Sequence, residues 1–316
     1  MSTLIRSLSK YKAHIVFTIR YFKKYFGLRK TLKQLLLYHY TLLKEPQLDL
    51  TKERIVEVNG YKLLLMPNDK GISTELLMFK THEPLTTQLL LRELKKGMVC
   101  IDIGSNIGYY VLLESRVVGD SGKVIAIEPS PKNFNYLRIN LVQQKAFNVE
   151  PKNFAIGDSN GEIEFLISDR SNYCRVATHG QMEFDTIEKI IKIQAKRLDS
   201  FLEENPLEKL DFIRMDVEGY ESNIYEGMKN TVSIFRPMLL IEVHKIYLGV
   251  EGTKKFLLEL KNDGYEINYY IPREMDVPLM GSMKDVQKIS IDELIRRLEE
   301  DFVSDNFHLF LVNHRR

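Results

Sequence analysis

Three clusters of acids and glycines stand where nucleotide chemistry could use them. The first is Val99-Cys-Ile-Asp-Ile-Gly-Ser-Asn-Ile-Gly108, a short apolar run that ends around Asp102 and is followed by Gly104 and Gly108. Strand, glycine turn and helix start form the opening of an α/β nucleotide site, because a helix N-terminus offers unpaired amides to an anion. A dinucleotide fingerprint would read Gly-x-Gly-x-x-Gly. Here the order is Asp102-x-Gly104-x-x-x-Gly108, and Asn106 puts a side chain where a pyrophosphate has to pack. The pattern suits S-adenosylmethionine: its carboxylate can use the helix amides, while its ammonium needs an acidic or carbonyl partner. Taken alone, the loop still allows a dinucleotide site or a merely structural turn.

The second cluster is Val124-Ile-Ala-Ile-Glu-Pro-Ser, in which Glu128 ends a strand at βαβ distance and can accept from both ribose hydroxyls. An NAD enzyme would share this residue, so Glu128 finds the ribose and not the cofactor. Methyl transfer from a sulfonium is an in-line displacement, so most catalysis is alignment. The positive charge on sulfur disappears in the reaction, and acids therefore belong at the periphery of the donor, as Asp102 and Glu128 would be. Asp102 would orient the methionine end, Gly104 and Gly108 would permit close approach, and Asn106 can offer an amide. Asp158, with the backbone of Phe154 and Ala155, lies where the adenine belongs, although an Asp after Gly157 is as readily a turn former. The third cluster supplies a base, which an aliphatic hydroxyl needs at neutral pH. Asp216, Glu218, Glu242 and His244 stand at the carboxyl ends of two further strands, the edge where open α/β sheets place their sites. His244 and Asp216 are the preferred bases, without a choice between them. The same four residues could hold a divalent cation, but the set is not metal-specific and no metal is assigned. Glu218 and Glu221 could also simply serve a strand-to-helix turn.

Six stretches together resemble the FkbM family of S-adenosylmethionine-dependent methyltransferases. They are DIGSNIGYY (102–110), GKVIAIEPSPKNFNYLRINL (122–141), FAIGD (154–158), RLDSF (197–201), IRMDVEGYE (213–221) and RPMLLIEVH (236–244). The likeness spans roughly residues 55–245; the Asp-Val-Glu-Gly-x-Glu block is its most family-specific part, and the glycine loop is common to many methyltransferases. The resemblance implies an α/β fold of the class I methyltransferase (Rossmann-like) type, a seven-stranded, mostly parallel sheet with helices on both faces. It also implies O-methylation of hydroxyls on sugars or polyketide-derived compounds. In the family the region before the glycine loop can border the methionine end, which makes Glu83 an expected ammonium ligand; a surface acid before a helix is the bland alternative. Methyltransferases acting on exocyclic amines of nucleic acids commonly carry an Asn/Asp-Pro-Pro-aromatic block where this chain reads Asp216-Val-Glu-Gly, which argues for a hydroxyl of a small molecule or glycan. The rival readings are an RNA methyltransferase with a basic arm and a non-catalytic binding protein of the same fold.

These residues must be positioned by a chain of 316 residues, enough for one large domain and an appendage. Residues 1–44 hold seven Lys, three Arg and no acid, a charge of +10 against +2 for the whole chain, so the remainder is −8. Within them Leu4, Leu8, Tyr11, Ile15, Ile19, Phe22 and Phe26 step by threes and fours, with Gly27 a stop and a second helix after it. Residues 1–48 are therefore read as a basic amphipathic helical extension. It either lies on a membrane surface, where it could meet a lipid-linked sugar, or docks on the catalytic domain or a second subunit. Residues 49–316 are read as the catalytic domain: 49–97 lead in, with a hairpin at Asn59-Gly60; 98–245 bind the cofactor; 246–316 add helices and closing strands. Strands are expected near 99–104, 124–129, 149–155, 211–216 and 238–243, and helices near 85–96, 108–118, 131–144, 220–231 and 252–263. Extra strands interrupt the pattern at 162–167 and 191–195. The polar middle from Asp169 to Phe184, with Arg175 and His179, reads as a surface loop rather than a pocket wall. Ser290-x-x-Glu293 opens a helix with Leu294, Leu298 and Phe302, and the 273–288 loop with Met275, Met280 and Met283 is core or a lid. Cys100 and Cys174 form no disulfide or metal spacing. With no secretory signal and no apolar run near 18 residues, a cytoplasmic protein is expected, peripheral at a membrane at most.

Overall fold

The computed structural model describes residues 2–177 and 186–314, with side chains in the first helix at 19, 22 and 23 and from 26 onward. That helix, α1 (Ser2–Lys44), is broken at Gly27, whose backbone is non-helical (φ 79°, ψ 171°). The lead-in region is a hairpin, β1 (Arg54–Val58) and β2 (Tyr61–Leu65), followed by α2 (Ile72–Phe79) and α3 (Pro84–Glu93). Its two-residue turn takes positive φ at both Asn59 and Gly60, as a tight hairpin of matching twist requires. Next come β3 (Val99–Ile103), α4 (Tyr109–Val118), β4 (Lys123–Ile127), α5 (Pro131–Gln143) and β5 (Val149–Lys152). An insertion carries β6 (Ala155–Ile156), β7 (Gly161–Ser168), β8 (Arg175–Val176) and β9 (Ile187–Lys196). The second half runs α6 (Leu198–Glu204), β10 (Phe212–Met215), α7 (Glu221–Glu226), α8 (Lys229–Phe235), β11 (Met238–His244), α9 (Lys245–Asn262), β12 (Tyr265–Pro272), α10 (Ile291–Glu299) and β13 (Asn306–Asn313).

Seven strands share one sheet in the order β12-β13-β11-β10-β3-β4-β5. Every pairing is parallel except the two made by β13, which is antiparallel to both neighbours. From β3 the chain winds outward to β5 and then returns to start again at β10, so strand order reverses between β3 and β10. In open α/β sheets the crevice beyond the carboxyl ends at such a reversal is where ligands bind.

The two faces differ. Ile101, Ile103, Ile125, Ile127, Ile213, Met215, Leu239 and Ile241 point to one side and pack under α6–α10. Cys100, Val124, Ala126, Phe212, Leu240 and Phe310 point to the other, under the hairpin and α3–α5. Strand alternation then sends Asp102, Arg214, Glu242, His244 and His308 to this second side as well. Register sets Arg214 beside Asp102 and Glu242 beside His308. A layer of buried charge thus lies near the carboxyl edge of a sheet that is otherwise apolar.

Three local expectations are corrected. The helix expected at 220–231 is two, because Gly227 lies against the Gly157 carbonyl, 1.9 Å from where a Cβ would stand; Asp199 then caps the restart, accepting from Thr231 N at 2.8 Å and Thr231 Oγ1 at 2.7 Å. The helix opened by Ser290, whose hydroxyl accepts from Glu293 N, ends at Glu299 and leaves Phe302 outside it and half exposed. The helix expected from 252 begins at Lys245, with a break at Gly249. Met275 and Met280 are core. The second half of α1 lies on that same loop: Lys30 Nζ pairs with Asp285 and reaches Met275 Sδ at 3.1 Å, Lys33 Nζ reaches the Met280 carbonyl at 3.1 Å, and Leu37 is buried.

Candidate active site

A cleft opens at the strand reversal, walled by the turn after β3, the end of β4, β6–β8 and the turn after β10. Gly104, Asn106, Glu128, Ala155, Asp216 and Glu218 all line it. Sequence reasoning placed these six residues on four separate elements, and the fold brings them to one cavity.

The turn after β3 is held by its neighbours. Gly104 has φ +87°, and a Cβ there would stand 1.9 Å from the Asp216 carbonyl oxygen, so only glycine lets β3 and β10 close at their ends. Gly108 (φ +94°) likewise lies against Leu137. Both glycines therefore serve packing directly, and any access for a ligand follows from it. Asn106 takes φ 49°, its backbone N–H donates to Glu128 Oε2 at 2.8 Å, and its Oδ1 is buried with no hydrogen-bond partner. Glu128 Oε1 accepts from Ser130 N at 2.8 Å. Burial outweighs these donors and pushes the Glu128 carboxyl up to about 7.

The opposite wall is Asp216-Val-Glu-Gly. Asp216 Oδ2 accepts from Arg214 Nη2 at 2.7 Å, and the same guanidinium lies 3.4 Å from Asp102 Oδ2 and over the Tyr110 ring at 4.1 Å. Glu218 sits at φ 53°, with Oε2 3.4 Å from His244 Nε2. Burial, then the surrounding carboxylates against the pull of His244, push Glu218 up to about 8. His244 Nδ1 meets Glu221 Oε1 at 2.6 Å, and both residues are fully enclosed.

Several expected site residues lie elsewhere. Asp102 is 0% exposed on the far face of β3, facing Arg214, and reaches the cleft wall only through that arginine and Asp216. Beneath it, burial and the Asp102 charge hold the Glu114 carboxyl well above the usual carboxylate range. Glu83 is also shut in: it accepts from the Tyr110 hydroxyl at 2.7 Å and faces His82, His308 and Arg273. An ammonium in the cleft cannot use it. Asp158 turns away to Asn223 Nδ2 at 2.8 Å, and the Phe154 ring packs on Phe201. Glu242 and His244 lie behind the wall rather than on it.

The stretch read as a surface loop is in part a wall. Ser171, Asn172, Cys174, Arg175 and Val176 line the cleft, and Arg175 is buried with its guanidinium 4.8 Å from the Tyr247 ring. The Arg-Val alternation inside an inserted strand was the available signal; His179 lies outside the described residues. Asn133 and Tyr220, also on the wall, carried no signal of their own. Nor did Arg273 and Asp276, which the chain brings into the buried charge layer from its last third.

A sheet wound in this order, with one reversed strand and a cleft at its switch point, is that of a class I methyltransferase. Residues 102–267 match the Methyltransferase FkbM domain, and the chain belongs to that family of S-adenosylmethionine-dependent methyltransferases. It is 29% identical over 178 residues to hexuronic acid methyltransferase AglP of Haloferax volcanii, covering 55% of this chain and 67% of that one. It is 29% identical over 180 residues to the 2-O-methyltransferase NoeI of Sinorhizobium fredii, covering 52% and 69%. Superposition on the FkbM methyltransferase of Methylobacillus flagellatus gives a TM-score of 0.43 at 15% identity, over 69% of this chain and 45% of that one.

Proposed function

We propose that this chain methylates a hydroxyl of a sugar or glycan, with the cleft holding donor and acceptor end to end. The observation that carries the reading is the cleft itself, which sets Glu128 on one wall and Asp216 and Glu218 on the other. One relative named for a hexuronic acid and one named for 2-O-methylation support the acceptor class. The residues present suit S-adenosylmethionine. Glu128, held by two backbone amides and by Asn133 Nδ2 at 3.4 Å, keeps acceptor capacity on Oε2 for the ribose, and Ala155 and Ile156 offer an apolar bed for the adenine. The orphaned Asn106 Oδ1 is the acceptor that the methionine ammonium needs, in place of Glu83. Bound there, the cofactor supplies an electrophilic methyl group on a sulfonium.

Among the four expected bases, Glu218 and Asp216 reach the cleft, whereas His244 and Glu242 stand behind. Arg214 ties one oxygen of Asp216, which leaves Glu218 the better placed to take the acceptor proton. His244, held by Glu221, orients Glu218 from the rear. Asp102 is a positioning residue that acts through Arg214. The test is a radiolabelled methyl assay over glycolipid, free-sugar, RNA and protein fractions, with mass spectrometry of the labelled product. Label in a sugar hydroxyl supports the reading; label confined to RNA or protein, or none, ends it.

A lipid-linked sugar presented at a membrane face is the finer proposal. The basic segment 1–44 supports it, together with the outward leucines Leu28, Leu32, Leu36 and Leu43 on the docked half of α1. No helix among the described residues is long and apolar enough to cross a membrane. Salt-sensitive sedimentation with anionic vesicles should vanish on deleting residues 1–44, and equal sedimentation of both proteins would refute it.

A further inference from the structure

We propose that Asp216, Glu218 and His244, backed by Glu242, form a site for one hard divalent cation of the Mg2+ or Mn2+ class. Two carboxylates and an imidazole from the ends of β10 and β11 bring their ligand atoms within 4.8 Å of one another. Mixed oxygen and nitrogen donors suit such ions. The imidazole is already turned for the task. Glu221, wholly enclosed, takes the Nδ1 side at 2.6 Å, so Nε2 faces Glu218 Oε2 at 3.4 Å and Glu242 Oε1 at 3.9 Å. A carboxylate on the far nitrogen is the usual device for orienting a metal-binding histidine.

Glu221 supplies an independent sign: its Oε2 is buried with no hydrogen-bond partner among the described residues, while its Oε1 is committed to His244. Glu242, 5% exposed, lies against the same imidazole at 3.9 Å. Its other contacts are ion-pair distances, 3.4 Å to Arg273 Nε and 3.6 Å to His308 Nε2. A buried carboxylate oxygen without a donor, such as Glu221 Oε2, is costly unless a cation answers it. Four carboxylates, Asp216, Glu218, Glu221 and Glu242, surround one imidazole, while Arg214 and Arg273 are shared with Asp102 and Glu83, and His308 with Glu83 and Asp276. A divalent ion in front of His244 offsets that excess.

Because Asp216 and Glu218 also line the cleft, the ion would stand where an acceptor hydroxyl arrives. An ion held there would make a hydroxyl bound to it more acidic, and Glu218 would be the group at hand to take the proton. This catalytic use rests on the reading of the cleft given above; cation binding does not.

The test is a titration of the full chain with Mn2+, following free Mn2+ by its paramagnetic resonance signal. One ion should be taken up per chain, and Glu218→Gln and His244→Asn should each weaken it at least tenfold. His314→Gln, at an exposed side chain outside the group, should leave it unchanged. If His244→Asn does not fold, Glu218→Gln decides alone. Failure of the wild-type chain to take up Mn2+ at millimolar concentration overturns the site, as would uptake lost in His308→Gln and kept in Glu218→Gln, which puts the ion among Glu83, Asp276 and His308. Calorimetry with S-adenosylmethionine separates the two readings: cofactor binding without Mn2+ uptake removes only the cation, and absence of cofactor binding removes the methyltransferase reading whatever Mn2+ does.

Discussion

Glu128 shows how one side chain is set between two tasks. Its oxygens take the Asn106 and Ser130 amides, and burial still lifts it from 4.5 to about 7. An acid whose folded pKa is raised weakens the native state once it ionises, so stability falls as pH climbs from 4.5 to 7, by roughly 3 kcal/mol. Glu128→Gln should lack that decline: urea midpoints at pH 5 and 7.5 should converge for the variant and not for the wild type. In calorimetry the same variant should bind S-adenosylmethionine 10- to 100-fold more weakly, the cost of about 1.5–3 kcal/mol for hydrogen bonds to a charged group. Unchanged affinity would place the ribose elsewhere. His82 runs in the opposite sense. Burial opposes its charge, but Glu75 at 3.0 Å and Glu83 at 3.4 Å prevail and raise it from 6.5 to about 9. The stability it confers is complete below pH 6.5 and lost as pH rises through 9, again roughly 3 kcal/mol. His82→Gln should flatten that alkaline limb of the denaturation profile.

At the scale of elements, the contacts that matter are those between strand ends and turns. Gly104→Ala forces a methyl onto the Asp216 carbonyl and strains a positive φ, and should cost about 2–4 kcal/mol in chemical denaturation. Gly252→Ala, in the first turn of α9 after its break at Gly249 and with only ordinary contact to Leu248, should instead raise stability by a few tenths of a kcal/mol up to about 1 kcal/mol. The helix α1 presents two sides that can be tested apart. Leu37 is buried and Leu36 is 72% exposed. Leu37→Ala should cost about 2 kcal/mol or more of stability; Leu32→Ser with Leu36→Ser should leave the unfolding midpoint nearly unchanged and reduce sedimentation with anionic vesicles. Much of this level was legible beforehand. The hairpin at Asn59-Gly60, the break at Gly27 and the parallel strands each carry local signals in turn residues or apolar runs. The division of the 220–231 helix was not legible, because it comes from a carbonyl at Gly157 more than sixty positions away.

For the molecule as a whole, one sheet separates two worlds. The face toward α6–α10 is apolar to the edge and holds the cleft; the face toward α3–α5 becomes a charge layer in its last row. That layer joins residues from the whole length of the chain, from Glu75 and His82 through Arg214 to Arg273 and His308. It ties the lead-in helices to the closing strands. Its pairs are deep enough that breaking one leaves an uncompensated charge, so single substitutions there should disturb folding more than surface pairs would.

The amino-acid order alone determined most element types, the parallel α/β class and six of the residues that line the cleft, since apolar runs, glycine turns and strand-end acids are properties of neighbouring residues. Which acids face a ligand was decided only in three dimensions. Asp102 and Glu128 both stand near strand ends, yet alternation and register send one to a buried arginine and the other to the cavity. A side chain's face depends on the strand beside it, and that strand is chosen by the fold.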